Sequence, residues 1–528
     1  MTKEYLTVGI DLGTTYCECY AYNAAKKKFE IVPFSNGSHS LPSVVNFGIE
    51  PAVVGQFSEK QVYQSKRFIG KKYDDLTEDD KEFLPFGVER AEDGSILIDT
   101  GNEHIGKLRP EEISACILYE IKDSILKNYG KYPDRVVITV PASFNDEQRK
   151  LTRRAGKIAG LNVERVLNEP TAAAFAHGMT PDRAKGNILV FDFGGGTLDI
   201  TIMRAQENQF KVVGTYGKGD LGGLDFDRKL AEIVLEKLDE YEDDPSVGKM
   251  MYEYIKTGTK DQRDIRKLKK KRLLTLTHAC EKAKIDLSSD DYAEINMKEV
   301  FPEVIYDDLV IKVSREEFED ANEELFDRFK ELIEKALKEA HLRQDSIDKV
   351  LLVGGSSQIP KVKEILTDIF GDDVICDSVN CDEIVAEGAC IFSTLRDDKL
   401  DILKDITKHS IGMIDSDGHN HIIVEKGGEV PHKHEFMAVV RGSAFSIDLT
   451  ENGKRTLHSF VRRNDGKSNE IVFMFTIDIA IDGTINVSCK IGEQSVQVQT
   501  KATLEKAQEE QDAENSLVLN KIKGWLKK

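Results

Sequence analysis

Two short runs carry residues whose types and spacing suit phosphate chemistry. In FDFGGGTLDI, Phe191 to Ile200, Asp192 precedes Gly194, Gly195, Gly196, Thr197 and Asp199. In VGIDLGTTYCECYAY, from Val8, Asp11 precedes Gly13, Thr14 and Thr15. A turn without side chains brings backbone N–H groups close to phosphate oxygens, and an aspartate at the end of the preceding strand can hold a hydrated Mg²⁺.

The residues after the glycines exclude the commonest phosphate loops. Those loops run from a strand into a helix, whose N-terminus helps to hold the anion. Here TLDITIM alternates Leu198, Ile200 and Ile202 with Asp199, Thr201 and Met203, and the lysine of a P-loop is missing. The spacing predicts a glycine turn between antiparallel strands. Two such hairpins, about 180 residues apart, predict a duplicated fold whose halves close on one ligand. A third run, LLVGGSSQIPKV, passes from a strand through Gly354 and Gly355 towards a helix and suits a nucleoside pocket.

Up to about residue 396, strand-like runs alternate with amphipathic helices expected at 110–129, 223–241, 261–287 and 315–341, an α/β pattern. A charged connector, RDDKLDILKD, leads to period-two alternation such as EIVFMFTIDIAIDGTINVSCKI, read as a separate β domain with a DG turn. The last 28 residues are helical again and are expected to pack on that β domain, a partner or membrane-surface helix being the alternative. The formal charge of −20 argues against coating nucleic acid, and the basic run IRKLKKKR reads as a solvated helix face. No signal peptide or membrane span is evident, so a cytoplasmic address is expected. The 8 cysteines lack a C-x-x-C pair and read as reduced thiols. His419, His421, His432 and His434 form two H-x-H pairs near the ends of a possible hairpin; polar loop positions and a metal site are both open readings.

GIDLGTTY, VPASFNDEQR, GLNVERVLNEPTAAAFAHG, FDFGGGTLDI, LGGLDFDRKL and VGGSSQIPK, in that order between residues 9 and 361, resemble the nucleotide-binding signatures of the seventy-kilodalton heat-shock protein (heat shock protein 70) chaperones. The resemblance implies an actin-like (ribonuclease H-like) two-lobed ATPase domain over 1–396, a linker at 397–406, a β-sandwich peptide-binding domain over 407–500 and a short C-terminal helix in 501–528. It implies an ATP-dependent, stress-responsive chaperone that hydrolyses ATP slowly with Mg²⁺ and binds unfolded, extended apolar peptides. J-domain co-chaperones and nucleotide exchange factors are the implied partners, and neither nucleic acid nor membrane is.

Carried over residue by residue, the resemblance places Gly13, Thr14, Thr15, Gly194, Gly195, Gly196, Gly222 and Gly223 around the phosphates. Asp11, Asp192 and Glu169 organise Mg²⁺ and its waters. Lys66 neutralises charge near the γ-phosphate, while Thr197 and Asp199 orient the attacking water. Glu281, Lys284, Ser288, Gly354, Gly355, Ser356 and Asp382 approach the nucleoside.

The chain departs from the family pattern in four places. Ile285 and Gln358 replace arginines that flank adenine, which removes stacking worth about 1 kcal/mol per contact. Glu18 stands where a small neutral residue is usual. It follows Asp11 by the interval that separates Asp199 from Asp192, so each hairpin aims a carboxylate at the phosphate site; pairing with a nearby cation is the alternative. In the connector, Lys404 after Ile402 and Leu403 is expected to weaken apolar docking. A short tail stands where the family carries a long helical lid, so peptide exchange is expected to be fast and weakly coupled to ATP. A nucleotide-binding co-chaperone or exchange factor with little or no ATPase activity is the alternative function. A sugar kinase or actin-like filament protein would share the hairpins but leaves the β domain unexplained.

Overall fold

The computed structural model describes residues 5–526 except 58–60, 77–83, 85, 178–185, 207–208, 219–220, 240–262, 301–308, 377–379, 396–402, 408, 415–417, 442–443, 454, 464–469, 481–483 and 492–500. Two mixed sheets dominate it. In the first, strands Val163–Asn168, Arg135–Val140, Thr7–Leu12, Tyr16–Asn23 and Lys28–Ile31 lie side by side in that order. In the second the order is Ile375–Cys376, Lys349–Val353, Gly186–Phe193, Leu198–Gln206, Gln209–Lys218. Each sheet has the predicted glycine-turn hairpin at its centre. Both hairpins are antiparallel, and each first strand also pairs in parallel with a later one. Such central strands are covered on both faces, which is why Val8, Ile10 and Leu12 and the run Ile188 to Phe191 are almost wholly apolar.

Local signals set the helix ends. Pro110–Tyr129 starts with proline in its first turn and a bond from the Arg109 amide to Glu112 Oε2 (2.7 Å), and stops at Gly130, whose φ of 69° favours glycine. In Asp146–Ile158 the Asn145 side chain accepts from the Gln148 amide, and Gln148 returns the bond. The helix expected over 315–341 is two helices, Arg315–Ala321 and Glu323–Glu339. The break is the buried Asn322, whose Nδ2 donates to the Phe318 carbonyl (2.7 Å) and competes with the helical backbone. IRKLKKKR falls in helix Arg263–Ser289, but its side chains lie outside the described set.

Each sheet has its own apolar core. Between them cross two short helices of small residues, Glu169–Ala176 and Ile384–Ser393. The crossing leaves no room for side chains at two points. A Cβ on Gly388 would lie 1.7 Å from the Ala172 carbonyl oxygen, and one on Gly9 would lie 2.1 Å from the Cys390 amide nitrogen.

Strands between Ile411 and Ile491 form two further sheets that share a core of Ile411, Leu449, Phe475, Ile477 and Ile479. Asn420–Val424 belongs to one and His432–Arg441 to the other, so the H-x-H pairs do not close a hairpin. No group of three metal-ligating side chains occurs among the described residues. The DG turn lies outside the described set, although its flanking strands pair as expected.

Most of the connector is also outside the described set. Its end, Leu403–Ile406, adds in parallel to the edge of the second sheet, with Leu403 opposite Phe210 and Lys404 opposite Lys211. Lys404 does not prevent this, because edge pairing uses backbone groups.

The tail corrects an expectation. Helix Lys501–Leu526 packs on the first lobe instead of on the β strands: Val518 and Ile522 are buried in that lobe's core, with Leu519, Trp525 and Leu526 against it. The Trp525 carbonyl accepts from the Ala52 amide (2.8 Å), and Arg154 reaches Glu514 (3.0 Å) and Asn515 (3.3 Å). The apolar stripe finds its partner in the groove beside Gly160 and Lys122, where a Cβ on Gly160 would stand 3.2 Å from Leu519. The β strands reach the first lobe separately, at the start of helix Asp146–Ile158, where the Ile485 amide donates to Asp146 Oδ1 (2.8 Å). Ile522→Ala should loosen the tail by about 2–4 kcal/mol, more than Glu514→Ala, because Glu514 is solvent-exposed and an exposed pair contributes about 1 kcal/mol or less. Trp525 is the chain's one tryptophan, so a red-shifted emission in the Ile522 variant and little change in the Glu514 variant is the expected result.

Candidate nucleotide site

The two hairpin tips meet. A Cβ on Gly195 would lie 2.0 Å from Thr15 Oγ1, and one on Gly196 would lie 2.8 Å from Thr14 Cγ2. Threonines of one lobe rest on glycines of the other. Behind them opens a cavity of about 450 Å³, within the usual range for small ligands.

Most of the predicted residues come together around it. The first hairpin supplies Asp11, Gly13, Thr14, Thr15 and Glu18; the second supplies Asp192, Gly194, Gly195, Gly196 and Thr197. Helix Arg263–Ser289 adds Glu281, Lys284 and Ser288, together with Ile285. Gly354, Gly355, Ser356, Gln358 and Asp382 close the far side. Three predicted residues stand behind the wall instead. Asp199 is buried opposite Asp192, its carboxylate where a Cβ on Gly217 would be. Gly222 and Gly223 fasten the glycine turn: the Gly223 amide donates to Gly194 (3.0 Å), and a Cβ on Gly222 would lie 2.4 Å from Gly196.

Lys66 and Glu169 meet across the cavity wall, Nζ to Oε1 at 2.7 Å, both almost fully buried. Neither is the surface lysine or simple capping acid that its local sequence allows. Burial would lower the Lys66 pKa, but Glu169 and Asp11 hold it above its ordinary value. Burial pushes Glu169 up to about 7 in spite of the lysine. Asp192 is raised well above the carboxylate range by burial and then by Glu169, Asp199 and Asp11. Burial raises Asp11 too, against Lys66 and a bond from Thr139 Oγ1 (2.8 Å). Glu18 lies opposite Asp11 in the strand register and is raised by burial and by Asp11, with a bond to Ser40.

Several contributors escaped sequence reasoning. Asp227 pairs with Lys284 at 2.8 Å, and burial lifts its carboxyl to about 6. A carboxylate on the apolar stripe of Leu230, Val234 and Leu238 was a readable signal for it. Tyr16, held protonated by burial and Glu281, and Thr139 and Ser40 carried no such mark. Gln358 donates to Asp382 (3.3 Å), while Ile285 is half exposed. Cys17, Cys19, Cys116, Cys280 and Cys390 are buried free thiols, and burial pushes the Cys17 thiol up to about 12.

The residues present fit a magnesium nucleotide. Asp192 Oδ2 and Thr15 Oγ1 are buried acceptors without a hydrogen-bond partner, and the glycine turns leave the space that Cβ atoms would take. Asp11 and Asp192, one on each hairpin and both on the cavity wall, suit a cation held through its own waters.

A family model described as Hsp70 protein matches residues 7–523. A curated relative, Chaperone protein dnaK3 of Thermosynechococcus vestitus, is 36% identical over 465 residues, covering 85% of this chain and 63% of the relative. The chain thus spans less than two thirds of that protein's length. With the match running through both lobes, the β sheets and most of the tail, the chain belongs to the Hsp70 family and has its actin-like α/β fold followed by a β-sandwich and a C-terminal helix.

Proposed function

We propose that this chain is a molecular chaperone that binds ATP with Mg²⁺, hydrolyses it slowly and uses the cycle to hold extended apolar segments of unfolded polypeptides. The observation that carries the reading is the meeting of the two hairpin tips over a cavity that holds a buried Lys66–Glu169 pair. In this reading the Thr14, Thr15 and Gly194 to Gly196 backbone cradles the phosphates. Asp11, Asp192 and Glu169 hold the waters of the metal, whose charge offsets that of the phosphates. Lys66 faces the charge that develops on the transferred phosphoryl group, and Thr197 and Asp199 orient the attacking water. Residues 1–396 form the nucleotide unit, 407–500 the peptide-binding unit and 501–528 the tail. J-domain proteins and exchange factors are the proposed partners, in the cytoplasm. No described helix is long and apolar enough to cross a membrane.

Docking of the connector strand on the second sheet and of Ile485 on Asp146 gives nucleotide state a path to the β strands. Single-turnover ATP hydrolysis with and without an unfolded peptide tests this. Weak stimulation by peptide is expected, in keeping with the altered connector and short tail; hydrolysis without any stimulation would mean an uncoupled ATPase, and binding without hydrolysis a co-chaperone.

A ring pair joins the lobes next to a cavity residue: the Phe57 ring of the first lobe is centred 4.2 Å from that of His278 in helix Arg263–Ser289, and His278 also meets Glu281 of the cavity wall (3.3 Å). Such a pair contributes about 0.5–1.5 kcal/mol beyond its area. Phe57→Ala is therefore expected to speed release of a fluorescent ADP several-fold in stopped flow, and an unchanged rate would show that the clasp does not gate the cleft.

A further inference from the structure

Both lysines on the cavity wall already have carboxylate partners, Lys66 in Glu169 (2.7 Å) and Lys284 in Asp227 (2.8 Å). Five other carboxylates, Asp11, Glu18, Asp192, Glu281 and Asp382, line the same cavity; Glu281 meets His278 (3.3 Å) and Asp382 accepts from Gln358 (3.3 Å), which leaves Asp11, Glu18 and Asp192 as the group between the hairpins. Glu18 is only 4% exposed, and the charges that act on it most strongly, Asp11, Asp382 and Glu383, are all acidic. The cation that would have made Glu18 an ordinary ion pair is not among them. Independently, Asp192 Oδ2 on the facing hairpin is a buried acceptor with no partner, 8% exposed as a residue and on the cavity wall.

One hydrated divalent ion between the lobes can offset Asp11 and Asp192. It does not also offset Glu18, and a nucleotide brings several more negative charges into the same space. A buried carboxylate beside phosphate without a counter-charge is strongly unfavourable in such a low-dielectric site. We propose that Glu18 makes this cavity take two divalent cations with each nucleotide, the second held through its waters on the Asp11–Glu18 pair. The inference rests on the nucleotide reading above. Water-mediated binding follows from the reluctance of Mg²⁺ to lose its hydration shell.

Mn²⁺ serves as the probe. Free Mn²⁺ is counted by electron paramagnetic resonance on the full chain with saturating ADP, and ADP binding is followed separately by equilibrium dialysis. Two Mn²⁺ per nucleotide-loaded chain are expected in the wild type and one in Glu18→Gln, with Glu18→Cys matching the glutamine variant. ADP affinity in the wild type should rise about tenfold as free Mg²⁺ increases beyond the concentration that saturates one site, and should stay level in Glu18→Gln. One Mn²⁺ in the wild type, or two in both proteins, overturns the proposal whatever the folding of the variants. ADP that fails to bind at any Mn²⁺ concentration overturns the nucleotide reading and this inference with it.

Discussion

Single-turnover ATP hydrolysis by Lys66→Met is expected to fall by at least about 10²-fold, the scale on which a charge aimed at a developing oxyanion contributes to catalysis. Stability should fall as well. Lys66 and Glu169 are both buried, and removing one partner of such a pair costs about 3–5 kcal/mol because the other charge is left uncompensated. The pH dependence has a definite sign. Glu169 is held up to about 7, above its ordinary value near 4.5, so the folded protein keeps a proton that the unfolded chain has released. Its contribution to stability is therefore greatest at low pH and is lost as pH rises towards 7. Without Lys66, which pulls the Glu169 value down, that loss extends to higher pH. Urea midpoints of Lys66→Met should decline more steeply than those of the wild type between pH 5 and 8. The double variant with Glu169→Gln should recover most of the stability and none of the hydrolysis. Full activity in the single variant would remove Lys66 from the chemistry.

Gly388→Ala is expected to damage both fold and site, although it is distant from the phosphate turns. The added Cβ would lie 1.7 Å from a backbone oxygen of the crossing helix, which cannot rotate away as a side chain could. Overpacking costs about 3 kcal/mol where backbone must move, and alanine's better helix propensity returns about 1 kcal/mol. The net loss of about 2 kcal/mol should appear as a lower unfolding midpoint. Displacement of helix Glu169–Ala176 also moves Glu169, its first residue, relative to Lys66. A shift of about 1 Å at a positioning residue can cost about 10²-fold in rate, so hydrolysis should fall more than stability alone explains. Unchanged kinetics in a folded Gly388→Ala would mean that the crossing does not set the separation of the lobes.

The sequence by itself determined the hairpins, because alternation after each glycine run is a local property that a strand must show whatever surrounds it. Its signature runs also resembled those of the family, and that resemblance implied most of the residues that line the cavity. Helix ends at Arg109 and Gly130 were legible for the same local reason. Only tertiary structure decided which chemically plain residues became special. Lys66 in QSKRFIG and Gly388 in IVAEGACIFS look ordinary in sequence, and each is set apart by a partner more than 50 residues away. The tail shows the same limit: an amphipathic stripe declares that it must be covered, not by what, and the covering surface belongs to the first lobe. Glu18 joins both sides of the division. Its spacing from Asp11 announced a carboxylate on the phosphate side of the hairpin, but only the folded cavity showed that both nearby lysines were already paired with other acids, because charge balance is a property of three-dimensional neighbours.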